Sequence, residues 1–238
     1  MFDIRNLTLE RNLVHMSWWK TILIIIVGLC LGAGYGLVRW YKTGGLQQAV
    51  VQRTVQIFTS DTTTISLVDE LVGLNEPQSY LLLLMNNTEL RPGGGFIGAY
   101  GVVTLNKAVP SIVKVEGTEI LDNYAPQDFP SVPPAPLAKY LKVARWNFRD
   151  SNWWPDFRSS TQKSLELYAK EKGVLAGSIR GVIGITPTAV EELLKITGPI
   201  TVDGQEFNSN NFTEKVEYEV ELGYAAKGVE FNNRKKLL

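Results

Sequence analysis

The chain has 238 residues, and its 24 Lys and Arg balance its 24 Asp and Glu. A neutral total leaves no global electrostatic footprint for nucleic acid, so no nucleic-acid partner is expected. Hydrophobic residues at 45% and aromatic residues at 10% suffice for a packed core and argue against general disorder. His15 and Cys30 are the single residues of their kinds. The chain after Cys30 therefore excludes disulfides, Cys/His metal sites, Cys–His nucleophiles and a Ser–His–Asp triad. Chemistry is left to carboxylates, which suit a hard cation such as magnesium, to arginines, which suit phosphate, and to Lys, Ser, Thr and Tyr.

In chain order, a polar segment (1–20) precedes Thr21–Val38, TILIIIVGLCLGAGYGLV, which carries no charge and is near the length that crosses a bilayer. Trp18, Trp19 and Lys20 stand before it, and Arg39, Trp40 and Tyr41 after it, the pattern of interfacial anchoring. No small-residue cleavage site follows, so the run reads as a retained single-pass anchor over 21–41 and not as a signal peptide. The short N-terminus and large C-terminal body predict a cytoplasmic N-terminus and a domain outside the cell membrane, although flanking cations are evenly split. Gly28, Gly32 and Gly36 recur every fourth residue. That spacing lets two membrane helices approach closely, a contact for a homodimer, and glycine is also common in such helices for no such reason.

Residues 44–76 read as two short helices in a stalk, restarting at Ser60–Asp61 and ending near Gly73 and Pro77. The body, 77–238, opens with Ser79–Met85, a continuous apolar run typical of a buried strand. Phe96–Leu105 and Pro110–Val115 follow as antiparallel neighbours joined by a turn at Asn106–Pro110. Asn123–Pro136 carries five prolines and reads as a surface excursion. Leu137–Trp146 is amphipathic. A helix is expected from Asp156 or Ser159–Ser160 to about Lys172, then a strand at Ile179–Ile185, a helix at Pro187–Ile196 and a strand at Ile200–Val202. Strand, helix, strand at that spacing predicts a βαβ-like unit. The stretch around Val216–Leu222 alternates. The expected class is α/β (α+β), a mixed β-sheet core with flanking helices preceded by one transmembrane helix, and the chain reads as truncated at its C-terminus.

The most distinctive stretch is Asn86–Gly101, NNTELRPGGGFIGAYG. Arg91 offers a rigid fork of donors for phosphate or carboxylate. The amides of Gly93, Gly94 and Gly95 could form an anion-binding nest beside it, and the alternative is that Arg91 simply pairs with Glu89. By spelling, Gly93–Gly98 matches G-x-G-x-x-G with Glu116 at the ribose-acid distance. The third glycine of that fingerprint must open a helix, whereas Ile97–Leu105 favours strand, so a dinucleotide site is rejected. Downstream, Arg149 and Asp150 either form a buried orienting pair or bring a second arginine and a carboxylate to the cleft of Arg91. With Asp156 and Glu89 they complete the candidate carboxylates. Trp153 and Trp154 suit sugar stacking or a core wall.

Three strings, YLLLLMNNTELRPGGGFIGAYGVVTLN, RDSNWWPDF and GVIGITPTAVEELLKITGPITVDG, resemble the signature of DUF4012, a bacterial membrane-anchored family catalogued as a domain of unknown function. The resemblance covers nearly all of Ser79–Gly204. More remotely, the order of elements is similar to the LytR–CpsA–Psr family, which transfers glycopolymers from a polyprenyl pyrophosphate carrier to the cell wall. That similarity matches Arg91 to an arginine after the first strand and Arg149–Asp150 to a later Arg–Asp pair. It implies a cell-envelope protein that binds or transfers a pyrophosphate-linked lipid glycopolymer or meets a cell-wall polymer. The alternative is a non-catalytic glycan- or protein-binding module. The acid expected soon after the first arginine is replaced by Gly93–Gly95, which puts magnesium, and with it catalysis, in doubt. No metal ligand or cofactor is assigned.

Overall fold

The computed structural model describes residues 45–223 except 59, 60, 127 and 130, together with 225, 228 and 229. The anchor run Thr21–Val38, with Gly28, Gly32, Gly36, Cys30 and His15, lies outside these residues. Among the described residues no helix is long and apolar enough to cross a membrane. The chain falls into two compact units, Met1–Val50 and Val51–Leu238. Of the first, the described part is the start of helix α1 (Gly45–Phe58).

In the second unit, α2 (Thr62–Leu71) begins where Asp61 accepts the amides of Thr63 and Thr64, which satisfies two of the donors a helix start leaves unpaired. Four strands form the main sheet: β1 (Gln78–Asn86), β2 (Phe96–Asn106), β3 (Val109–Gly117) and β4 (Ile179–Ile185). Their order is β3-β2-β1-β4. β1 is antiparallel to β2 and parallel to β4, and β2 is antiparallel to β3. The sheet is thus mixed, with flanking helices, as the apolar runs predict. The β2–β3 turn is made by Lys107 and Ala108 at φ 52° and 61°, the left-handed pair of a two-residue hairpin.

Where β1 leaves the sheet, its register to β2 passes from Leu84↔Ala99 to Met85↔Ile97. Gly98 is the extra residue of a β-bulge, and the Thr118 hydroxyl donates to the carbonyls of Ile97, at 2.8 Å, and Gly98, at 3.2 Å. The third glycine of the dinucleotide spelling therefore bends a strand and opens no helix.

Behind the sheet lies α5 (Phe157–Lys170), reached through α3 (Thr118–Asn123) and α4 (Ala135–Tyr140). It buries Ser160, Ser164, Leu167 and Tyr168, one helical face at i, i+4, i+7 and i+8. Tyr168, Tyr100 of β2 and Phe148 meet edge to face or tilted at 5.5–5.7 Å between centroids, the arrangement aromatic quadrupoles prefer. Together with Leu81, Leu83, Ile97 and Leu121 they form the core.

Four expectations are corrected. Ile200–Val202 is not the second strand of a βαβ unit: β5 (Ile200–Val202) pairs only with β6 (Gln205–Phe207) in a separate hairpin after α6 (Pro187–Thr197). The turn Asp203–Gly204, with φ 50° and 76°, closes the hairpin before β5 can reach the main sheet. The parallel partner of β4 is instead β1. The alternation around Val216–Leu222 is helical, in α7 (Phe212–Tyr218) and a wider turn at Glu219–Gly223. Of the amphipathic stretch Leu137–Trp146 only the start is helix, with α4 ending at Tyr140. The proline-rich excursion contains the start of α4, since Pro136 falls in a first turn, where a missing N–H breaks no bond.

Candidate functional site

Arg91 leaves the β1–β2 loop half-buried. Its Nε stands 3.8 Å from Asp150 Oδ1, and its guanidinium lies over the Phe96 ring at 5.1 Å. It pairs with Asp150 rather than with Glu89, which is exposed on the same loop. Asp150 ends a 3-10 turn, Phe148–Asp150, that holds its carboxylate 6% exposed. The Trp146 indole donates to the Asp150 carbonyl at 2.8 Å and pins that turn.

Arg149, one residue earlier, points to a different carboxylate: its Nε donates to Asp122 Oδ2. Arg149 and Asp150 are therefore not a pair with each other. Both arginines nevertheless act on Asp150, whose carboxyl burial holds above its usual value against the pull of Arg91 and Arg149. Arg91 thus pairs with Asp150 and Arg149 with Asp122, so the two arginines hold separate buried carboxylates, and the 3-10 turn carries Arg149 and Asp150 side by side. Arg91 Nε is buried with no hydrogen-bond acceptor.

The glycine run has another role than the nest expected of it. The Gly93 amide donates to Asn152 O, and that of Gly94 to Arg91 O, both at 3.1 Å, so these two donors are spent within the protein. A Cβ on Gly93 would lie 2.4 Å from Asn152 O, and one on Gly95, at φ 131°, 2.4 Å from Asn86 O. Asn152 Nδ2 in turn donates to Gly95 O at 2.6 Å. The run lets the Arg91 loop seat directly on Asn152, two residues beyond Asp150. It aims the arginine and leaves Gly93 and Gly94 no amide for an anion.

Asp156 is exposed, and its Oδ2 accepts the Ser159 amide at 2.7 Å as the N-cap of α5, the helix start expected of it. Trp153 packs partly buried against the core, whereas Trp154 is 37% exposed and tilts against Trp146 at 5.7 Å. Among the described residues no group of three or more His, Cys, Asp or Glu is arranged to hold a metal ion.

Beyond Phe96 opens a cleft of about 1080 Å³. It lies at the C-terminal ends of β1 and β4, where Met85, Asn86 and Ile185 meet the bulge at Gly98 and Ala99. Val190 of α6, Ile200 and Phe207 of the hairpin, and Phe212 and Val216 of α7 supply its apolar wall. Glu89, Asp203, Glu217, Glu219 and Glu221 line it as well, with no Lys or Arg among the described residues. Carboxylates of one sign leave such a cleft to the uncharged part of a ligand or to a cation.

Three residues of the arginine site escape a reading of the sequence: Asp122, Glu171 and Arg145. Asp122 rides on α3, six residues long and too short for a periodicity to declare. Arg145 is spent on carbonyls of Pro126 and Asp122, each at 3.3 Å. Glu171 carried a signal: an acid at the C-terminus of α5 opposes the helix dipole and needs a reason to be there.

The family described as "Protein of unknown function (DUF4012)" matches residues 75–220, a span that holds the sheet, both arginines and most of the cleft. The chain belongs to this family. No curated protein and no solved structure matches it significantly.

Proposed function

We propose that the chain is a membrane-anchored extracytoplasmic protein of the cell envelope that binds a pyrophosphate-linked lipid glycan. The phosphates lie at Arg91 and Arg149 and the apolar chain in the neighbouring cleft. The observation that carries this is Arg91, held against the buried Asp150 and over Phe96, which also walls the cleft, with Arg149 next to Asp150 in the chain. Buried carboxylates that orient a guanidinium while leaving its outer N–H groups to a ligand are a common way to build a phosphate site. The uncharged run Thr21–Val38 supports a tether, which would keep the domain near a lipid-borne ligand. The remote similarity to the LytR–CpsA–Psr family supports the same ligand class.

A second reading, a non-catalytic glycan- or protein-binding module, is favoured by two observations. Each arginine already faces a buried carboxylate, and the cleft is lined by acids, so turnover is not part of the proposal. The test is a thermal-shift titration of the full chain in detergent with polyprenyl pyrophosphate, inorganic pyrophosphate and the uncharged polyprenol, each with and without magnesium. The first is expected to stabilise most. Arg91→Lys and Arg149→Lys, which keep charge but lose the planar fork, are expected to weaken binding about ten-fold each. No shift with any phosphate-bearing ligand sinks the lipid reading in favour of the module.

A further inference from the structure

Beneath Arg149 lies a carboxyl that the proposed site does not touch. Glu171, fully buried at the end of α5, accepts the Phe148 amide on Oε1 at 2.9 Å. Asp122, 3% exposed, meets the same 3-10 turn, since its partner Arg149 directly follows Phe148, whose amide Glu171 accepts. Asp122 Oδ2 is taken by Arg149 Nε. The two remaining oxygens, Asp122 Oδ1 and Glu171 Oε2, are both buried without a donor from the protein. Ionised carboxylates only accept, so two of them cannot share a dry interior unless a proton stands between them.

We propose that Glu171 is a positioning residue: one proton, carried on its Oε2 and donated to Asp122 Oδ1, keeps Asp122 ionised and aimed at Arg149. Loss of that proton sets two buried negative charges against each other and removes the hydrogen bond that aims Asp122 at Arg149. The charged groups facing the pair are Arg145, whose Nη2 sits on the Asp122 carbonyl, Arg149 and Asp150 of the 3-10 turn, and Arg91 beyond Asp150. Three arginines against Asp122 and Asp150 make ionised Asp122 the better-served partner and leave Glu171 to hold the proton. Burial first, then the charge of Asp122, pushes Glu171 up to about 8.

The sign follows. The folded value lies above the ordinary 4.5, so the folded protein keeps a proton that the unfolded chain releases. The stability it contributes is full below the ordinary value and is lost as pH rises through about 8. The proton is independent of any ligand, and only its effect on binding rests on the phosphate reading above.

The test uses the full chain in detergent, without ligand, with the Glu171 carboxyl carbon and Arg149 Nε–H followed by NMR from about pH 5 to about pH 9. A Glu171 midpoint near 8, with the Arg149 signal moving at the same midpoint, is expected. A midpoint near 4.5, or an Arg149 signal that ignores it, overturns the proposal. In Glu171→Gln, which keeps both hydrogen bonds without a titratable proton, the loss of melting temperature with rising pH should flatten. A slope equal to wild type also overturns it, and if this variant does not fold the wild-type titration decides. A final arm adds inorganic pyrophosphate. Binding that weakens with the Glu171 midpoint ties the proton to the site. Absence of binding at every pH rejects the phosphate reading alone.

Discussion

Gly93 shows what a single residue contributes here. Its missing side chain lets Asn152 O approach to where a Cβ would be 2.4 Å away, closer than real Cβ contacts, so the Arg91 loop can rest on the segment that carries Asp150. Gly93→Ala is expected to destabilise the fold by about 1–3 kcal/mol, measured by urea denaturation, and to weaken pyrophosphate binding through displacement of Arg91. Gly177→Ala is the matching control, since nothing lies within 4 Å of its added Cβ and it should be close to neutral. Equal effects of the two would remove the role assigned to the loop contact. Asp122 behaves differently from the surface acids for the same reason of place. Arg149→Gln leaves Asp122 buried beside Glu171 without its cation, so the variant should lose more stability at high pH than at low pH.

At the scale of elements, α5 does most to place the site. Its N-cap, Asp156, accepts from Ser159, whose hydroxyl first and amide second hold the carboxyl below its ordinary value. The folded value is depressed, so the stability it contributes is present at neutral pH and lost as pH falls through that lowered value. Asp156→Asn should keep the cap and remove this acid-side dependence, whereas Asp156→Ala should lose both, read by thermal melts across acid pH. The other end of α5 delivers Glu171 and Tyr168 to the 3-10 turn. Phe148→Ala, at 0% exposure between Tyr100 and Tyr168, is expected to cost about 3–5 kcal/mol and to release Arg149 and Asp150 with it. Had Phe148 been a surface residue the loss would be small, and a chemical-denaturation midpoint near wild type would show that.

For the molecule as a whole, the cleft and the arginine site are neighbours of opposite character, apolar with acids on one side of Phe96 and cationic on the other. Filling the cleft should therefore separate the two parts of a lipid pyrophosphate. Val190→Trp is expected to abolish the thermal shift given by polyprenol while leaving that of inorganic pyrophosphate in place. Loss of both together would mean that the two regions are not separate sites.

Much of this was legible in the residues and some was not. Tyr80–Met85 and Phe96–Leu105 read as strands because apolar and β-branched runs carry a local signal. Asp61 and Asp156 before Thr62–Leu71 and Phe157–Lys170 read as helix starts because capping is local too. Ile200–Val202 failed as part of a βαβ unit because pairing partners are set by turns and distant strands, not by the strand's own residues. By itself the sequence determined the family, the four main strands, the helices Phe157–Lys170 and Pro187–Thr197, and the elimination of thiol and imidazole chemistry after Cys30. Only the tertiary structure decided that Arg91 meets Asp150 and Arg149 meets Asp122, that Gly93 and Gly94 spend their amides inside, and that Glu171 lies under the site. Which charges neutralise one another in a dry interior depends on distance in space, and these partners come from segments tens of residues apart.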